Sequence, residues 1–168
     1  SAGLIGGIVY DHLSKQGHDL IGIDRPHEDW LKAGRNTDDE NARKRVDVEM
    51  DLTLISDEEL SAALEGTDCL IHLAADANPS NEDESMIRNN IEPTTAIFRC
   101  AKSAQISRVI VASSGLAQVG LEPLFAEGGP MHGRLIHIED GIAPTSTYGA
   151  SKIYAEIMAE MYARIHGI

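Results

Sequence analysis

Several classes of protein leave marks that are missing from this sequence. It contains no apolar run long enough to cross a bilayer, and no signal-peptide pattern opens it. Basic residues are scarce, 14 Lys and Arg against 27 Asp and Glu, for a formal net charge of −13. That field repels nucleic acid and anionic membrane surfaces, and no basic stripe interrupts it, so neither partner is expected. The acid is spread over residues 28–51, 57–59 and 82–84, which reads as solvated surface. There are only two cysteines, Cys69 and Cys100. Both sit inside apolar patterns and are expected to be small buried hydrophobes rather than a disulfide or a metal pair. The histidines are scattered without metal-ligand spacing. A reducing, cytoplasmic setting and no metal are therefore expected. Internal repeats and low-complexity segments are also lacking.

What remains is the composition of an ordinary globular domain. With 168 residues, 42% hydrophobic and 24% charged, the chain is long enough for one domain with a real core. Ser1-Ala2-Gly3-Leu4-Ile5-Gly6-Gly7 runs into an apolar-periodic segment (Ile8, Val9, Leu13) that Gly17 stops. Residues 18–24 read as a strand ending in Asp24, and 25–44 as a polar loop with room for a short helix. Residues 46–52 alternate like a strand. Ser56 and Glu59 form a capping box for a helix to about Leu64. Residues 68–75 look like a strand of the buried type with a small-residue exit. A helix is expected over 84–104, a short apolar strand over 109–112, a long loop, and a last helix from Tyr148 to about Ile165. Alternating strands and helices argue for an α/β fold: a doubly wound parallel sheet in three α/β/α layers. A glycine turn with no strand before it, and a last helix with no strand after it, suggest a fragment truncated at both ends.

Chemistry concentrates at a few places. Tyr148-Gly-Ala-Ser-Lys152 puts a phenol and an ammonium at i and i+4, on one helix face. A lysine charge beside a phenol favours its phenolate, a general base for an alcohol proton. Gly3-x-x-Gly6 opens the first helix, where glycines let backbone approach a pyrophosphate at the helix N-terminus; Leu4 and Ile5 lie between them. Asp24 follows about 20 residues later, the place of an acid that accepts from adenosine ribose hydroxyls. This favours NAD over NADP, although Arg25 beside it keeps NADP open. Asp51-Leu52, Leu73-Ala74-Ala75 and Ser113-Ser114 each follow a strand, and ligands in such sheets bind outside the carboxyl ends of strands. His72 reads as a satisfied strand histidine rather than a ligand, and Tyr154 and Glu156 as packing and surface residues. Met158 and Met161 read as core or interface.

Taken together, Gly3-x-x-Gly6, Asp24, Asp51-Leu52, His72-Leu73-Ala74-Ala75, Asn89-Asn90-Ile91, Ala112-Ser113-Ser114 and Tyr148-Gly-Ala-Ser-Lys152 resemble the extended short-chain dehydrogenase/reductase family. It is also called the NAD-dependent epimerase/dehydratase family. The resemblance spans the chain in order and is nearest to uronate and other sugar dehydrogenases, with nucleotide-sugar epimerases and dehydratases on the same skeleton. It implies a Rossmann-type fold, a missing first strand and a missing C-terminal substrate domain. It also implies carbohydrate chemistry on a sugar-type substrate and a homodimer through the helices over 84–104 and 148–165. Ser114, Tyr148 and Lys152 would be the catalytic set, with Ser114 and Tyr148 at the substrate. Tyr148, Lys152 and Asn89 would join the cofactor-binding residues, and Asn89 or Asn90 would position a water or cap the kinked helix. Three departures stand out. Pro93 replaces the usual Gly and should kink its helix. Gly115 stands where uronate dehydrogenases carry Asn. The Ser114-to-Tyr148 stretch is long, with an insertion expected over 121–137 near the substrate mouth. Two other readings stand beside a sugar dehydrogenase: a nucleotide-sugar epimerase or dehydratase with tightly bound NAD, and a non-catalytic dinucleotide-binding protein.

Overall fold

A computed structural model describes residues 1–30, 38 and 40–168. They group into two compact units, Ser1–Glu65 and Gly66–Ile168.

The first unit begins with α1 (Leu4–Lys15), whose N-cap is Gly3. The helix ends where expected. Gly17 adopts φ +83°, and the amides of Gly17 and His18 bond back to Ser14 and Leu13. Next come β1 (Ile23–Asp24), a 3-10 turn at His27–Asp29, α2 (Glu40–Arg43), β2 (Val48–Glu49) and α3 (Asp57–Ala63). β1 and β2 pair in parallel, Ile23 with Val48 and Asp24 with Glu49. Both strands are shorter than the 18–24 and 46–52 read from the sequence. The cause lies at Gly22, whose carbonyl takes two amides, from Asp47 at 2.8 Å and Val48 at 3.1 Å, which breaks the regular ladder. The backbone is so close there that a Cβ on Gly22 would stand 1.8 Å from the Arg45 carbonyl oxygen. Arg45 in turn clamps α1 through paired 2.7 Å bonds to the Asp11 carboxylate. The Ser56–Glu59 capping box forms as read: Ser56 Oγ accepts from the Glu59 amide, and the Glu59 carboxylate accepts from the Ser56 amide. Trp30, Leu60 and Leu64 are buried, and the Trp30 indole donates to the Arg25 carbonyl.

The second unit holds β3 (Cys69–His72), α4 (Asp83–Met86), a π-helical turn (Ile87–Ile91) and α5 (Glu92–Ser103). β4 (Arg108–Val111), α6 (Glu122–Phe125) and α7 (Thr147–His166) follow. β3 and β4 run parallel, from Cys69 opposite Arg108 to His72 opposite Val111. The core is built on Phe98, Met158 and Tyr162, with Val109 and Val111 packed against them. The Phe98 and Tyr162 rings meet at 5.1 Å.

Two expectations are corrected here. β3 is not buried on both faces: Leu70 and His72 are buried, while Cys69 is exposed. Strand residues alternate sides, and Leu70 and His72 share the side on which Thr94 of α5 meets His72. Cys100, on α5, is buried as expected. The helix over 84–104 is not one α-helix but α4, the π turn and α5. Proline has no amide to give the carbonyl four residues back, and the chain meets this before Pro93 with a wider turn, in which the Glu92 amide bonds to Ile87 five residues back.

Candidate active site

In Ser1–Glu65, the first turn of α1 carries no acidic residue, and no side chain caps it. Its amides, at Leu4, Ile5 and Gly6, therefore keep the partial positive charge of a helix N-terminus. Gly6 packs closely on the preceding chain, since a Cβ there would lie 3.2 Å from the Ser1 Cα. Asp24 closes β1 and reaches back to this turn. Its Oδ2 accepts from the Ala2 amide at 2.8 Å and the Ser1 amino nitrogen at 3.1 Å, and its Oδ1 from the Arg25 amide at 2.9 Å. After β2, Asp51 Oδ1 accepts from the Thr53 amide at 2.8 Å and shapes the turn beside Leu52. Thr53 Oγ1 is buried without a hydrogen-bond partner among the described residues, the kind of atom a bound polar ligand satisfies. An uncapped glycine-flanked helix start with a carboxylate at the end of the next strand fits a dinucleotide.

In Gly66–Ile168 the centre is the start of α7. Ser146 caps it, accepting from the Gly149 amide at 3.1 Å. Lys152 Nζ stands over the Tyr148 ring, 5.7 Å from its centroid, so the i, i+4 spacing does put the ammonium against the phenol. Tyr148 is half-buried and Lys152 buried. Burial holds the Lys152 pKa below the ordinary lysine value, because an ammonium loses solvation there.

Ser114 follows β4 and starts a 3-10 turn, Gly115–Ala117, its Oγ accepting from the Leu116 amide at 3.2 Å. Gly149 brings this turn and α7 together, because a Cβ on it would meet the Leu116 carbonyl oxygen at 2.5 Å. The glycine inside Tyr148-Gly-Ala-Ser-Lys152 thus lets the helix bearing the phenol lie directly on the turn bearing the serine. Ser113 is engaged differently, donating to the Glu156 carboxylate on α7. The long loop that follows is drawn shut at its base. Gln118 donates to the carbonyls of His137 and Gly141, and the amides of Gly120 and Ala143 bond to Ala143 and Ala117.

Leu73, Ala74 and Ala75 leave β3 without forming a regular element. His72 is buried with Nε2 3.1 Å from Thr94 Oγ1, the satisfied strand histidine expected. Asn89 donates to the Ser85 carbonyl at 3.0 Å and the Ser85 hydroxyl at 3.2 Å. Its neighbour carries more of the architecture. Asn90 is 3% exposed. Its Oδ1 accepts from the Asp76 amide at 2.7 Å, and its Nδ2 donates to the Asp76 carbonyl and to Ser151 Oγ, both at 3.0 Å. Only an amide side chain both accepts and donates in this way. The sequence named Asn90 but not its partners. Pro93, three residues on, was the sign that the helix there departs from α.

A model of the NAD dependent epimerase/dehydratase family matches residues 1–168. L-arabinose 1-dehydrogenase (NAD(P)(+)) of Haloferax volcanii is 30% identical over 135 residues, 75% of this chain and 51% of that protein. UDP-glucose 4-epimerase of Mycolicibacterium smegmatis is 25% identical over 173 residues, 100% of this chain and 51% of the relative. The structure of UDP-glucose 4-epimerase from Brucella ovis in complex with NAD matches with a TM-score of 0.74 and 25% identity, over 99% of this chain and 47% of that one. The chain spans about half the length of the curated relatives it matches. The fold is Rossmann-type α/β, and the chain belongs to the NAD dependent epimerase/dehydratase family.

Proposed function

We propose that this protein is an NAD-dependent oxidoreductase that oxidises a sugar or sugar acid through a Ser114-Tyr148-Lys152 site. The observation that carries the reading is the placement of the Lys152 ammonium over the Tyr148 ring, on a helix seated against the Ser114 turn. Likeness to an L-arabinose dehydrogenase favours the free-sugar substrate class. NAD, when bound, supplies the hydride acceptor. Tyr148 takes the proton from the reacting hydroxyl as its carbon is oxidised. Lys152 sets its ammonium over the ring of this base. Ser114 donates a hydrogen bond to the reacting oxygen and fixes its direction. Within Ser1–Glu65 the proposal gives Gly3, Leu4, Ile5 and Gly6 the pyrophosphate and Asp24 the adenosine ribose, with Arg25 alongside. Asp51 and Leu52 take the adenine. Within Gly66–Ile168, Leu73, Ala74, Ala75 and Asn89 line the cofactor, with Tyr148 and Lys152 near its reactive end. The NADP alternative rests on Arg25.

The proposal also makes the protein a cytoplasmic homodimer. Ile87 on the π turn and Ile157, Met161 and Ile165 on α7 are exposed apolar residues on the helices that would meet. Among the described residues, no helix is long and apolar enough to cross a membrane.

The test is to mix the purified protein with NAD and a panel of aldoses and uronic acids and follow NADH absorbance. NADH formation is expected. Tyr148→Phe should lower turnover by about 100-fold and leave NAD affinity within about twofold. Undiminished activity in that variant would remove Tyr148 from the role of base. Likeness to a UDP-glucose 4-epimerase over the whole chain favours a second reading. There the protein interconverts nucleotide sugars and releases no net NADH, which the same assay separates.

A further inference from the structure

Three polar contacts on α7 take no part in the chemistry above. Thr147 Oγ1 donates to the Asp83 carboxylate at the start of α4. Ser151 Oγ accepts from Asn90 Nδ2 in the π turn at 3.0 Å. The Tyr154 hydroxyl lies 2.6 Å from Thr95 Oγ1 on α5. Thr95 already donates its proton to the Ile91 carbonyl at 2.9 Å, so the Tyr154 phenol is the donor in this last contact. Thr147, Ser151 and Tyr154 are spaced i, i+4, i+7 and form one stripe of α7. Tyr148 and Lys152 each follow a residue of that stripe and point about 100° further round the helix axis.

The partner residues reach a common side by a different route. Asp83 and Thr95 are 12 residues apart, which in an unbroken α-helix would separate them by about 120°. A π turn takes up one extra residue and brings this down to about 20°. The Ile87–Ile91 turn therefore turns Asp83 and Thr95 toward the same neighbour, with Asn90 between them in sequence. We infer that this turn and its seam with α7 set the rotation of the helix that carries Tyr148 and Lys152, and that Thr95 and Tyr154 are positioning residues for the reaction. A helix held at three points along one stripe cannot roll about its axis, so the phenol keeps one direction of approach. Placement errors of about 1 Å cost up to about 100-fold in rate, so such a constraint matters to turnover more than to stability.

The inference rests on the oxidoreductase reading above. Thr95→Val and Tyr154→Phe each remove one oxygen and nearly preserve volume, whereas Thr95→Ser keeps the oxygen. With a sugar that the unaltered protein oxidises, kcat should fall about 10-fold in Thr95→Val and Tyr154→Phe, with KM for NAD within about twofold. Thr95→Ser should restore kcat. Three results would each overturn the inference: kcat within about twofold of the unaltered protein in both oxygen-deleted variants, an equal loss in Thr95→Ser, or kcat and KM worsening together with Tm. If the unaltered protein oxidises nothing, the functional reading fails, and the seam is then tested by hydrogen exchange. Amides of residues 149–152 should exchange about 10-fold faster in Thr95→Val than in Thr95→Ser; equal rates would overturn the seam's role.

Discussion

His72 combines burial, a hydrogen bond and a neighbouring charge in one side chain. Burial, and then the nearby Lys152 charge, push its pKa down from 6.5 to about 4. The imidazole is therefore neutral in the folded protein at neutral pH, sharing a proton with Thr94 Oγ1. In the unfolded chain the same ring gains its proton near the ordinary value. Its contribution to stability is complete above about pH 6.5 and is lost as the pH falls toward 4, a change of about 3 kcal/mol. Urea denaturation at pH 7 and pH 4.5 should show that His72→Gln loses less stability on acidification than the unaltered protein. Equal losses in the two proteins would show that the ring does not resist protonation. Asn90 teaches the complementary lesson at this scale. Its identity is plain from the sequence, but its importance depends on Asp76 and Ser151, one of them 61 residues away, and no local pattern reports such partners.

Among the elements, α7 shows how a single missing side chain determines where a helix can lie. In an exposed helix, replacing Gly by Ala stabilises by about 1 kcal/mol through backbone entropy. At Gly149 the added methyl would stand 2.5 Å from a backbone carbonyl, that of Leu116, which has no flexible end to give way. The overpacking cost of about 1–3 kcal/mol should prevail. Gly149→Ala is expected to lower stability by about 1 kcal/mol net in urea denaturation and to lower turnover. A gain in stability would mean that α7 stands further from the Ser114 turn than described. The elements also differ in how far the sequence foretold them. α3 and its capping box were legible because every interaction lies within four residues. β1 and β2 came out short because Gly22 meets Arg45, a contact between separate segments. The π turn was legible only as a disturbance at Pro93, since a proline states which bond is missing and not how the chain compensates.

Over the whole molecule the net charge of −13 is the dominant long-range term. Like charges confined to a folded surface repel one another more than on an expanded chain. Raising salt from about 0.01 M to 1 M shortens the screening length from about 30 Å to 3 Å. Tm should therefore rise with sodium chloride, a trend thermal melts would show directly; a falling Tm would mean that attractive pairs such as Arg45–Asp11 outweigh the repulsion. The sequence by itself determined the alternation of strands and helices, the acidic field, and the shared helix face of Tyr148 and Lys152. Each of these follows from composition or from backbone periodicity over a few residues. Tertiary structure alone decided that Cys69 is exposed while Cys100 is buried, that Asn90 holds Ser151, and that α7 lies on the Ser114 turn. Burial and partnership depend on which distant segment the fold brings alongside, and that is a property of packing rather than of local pattern.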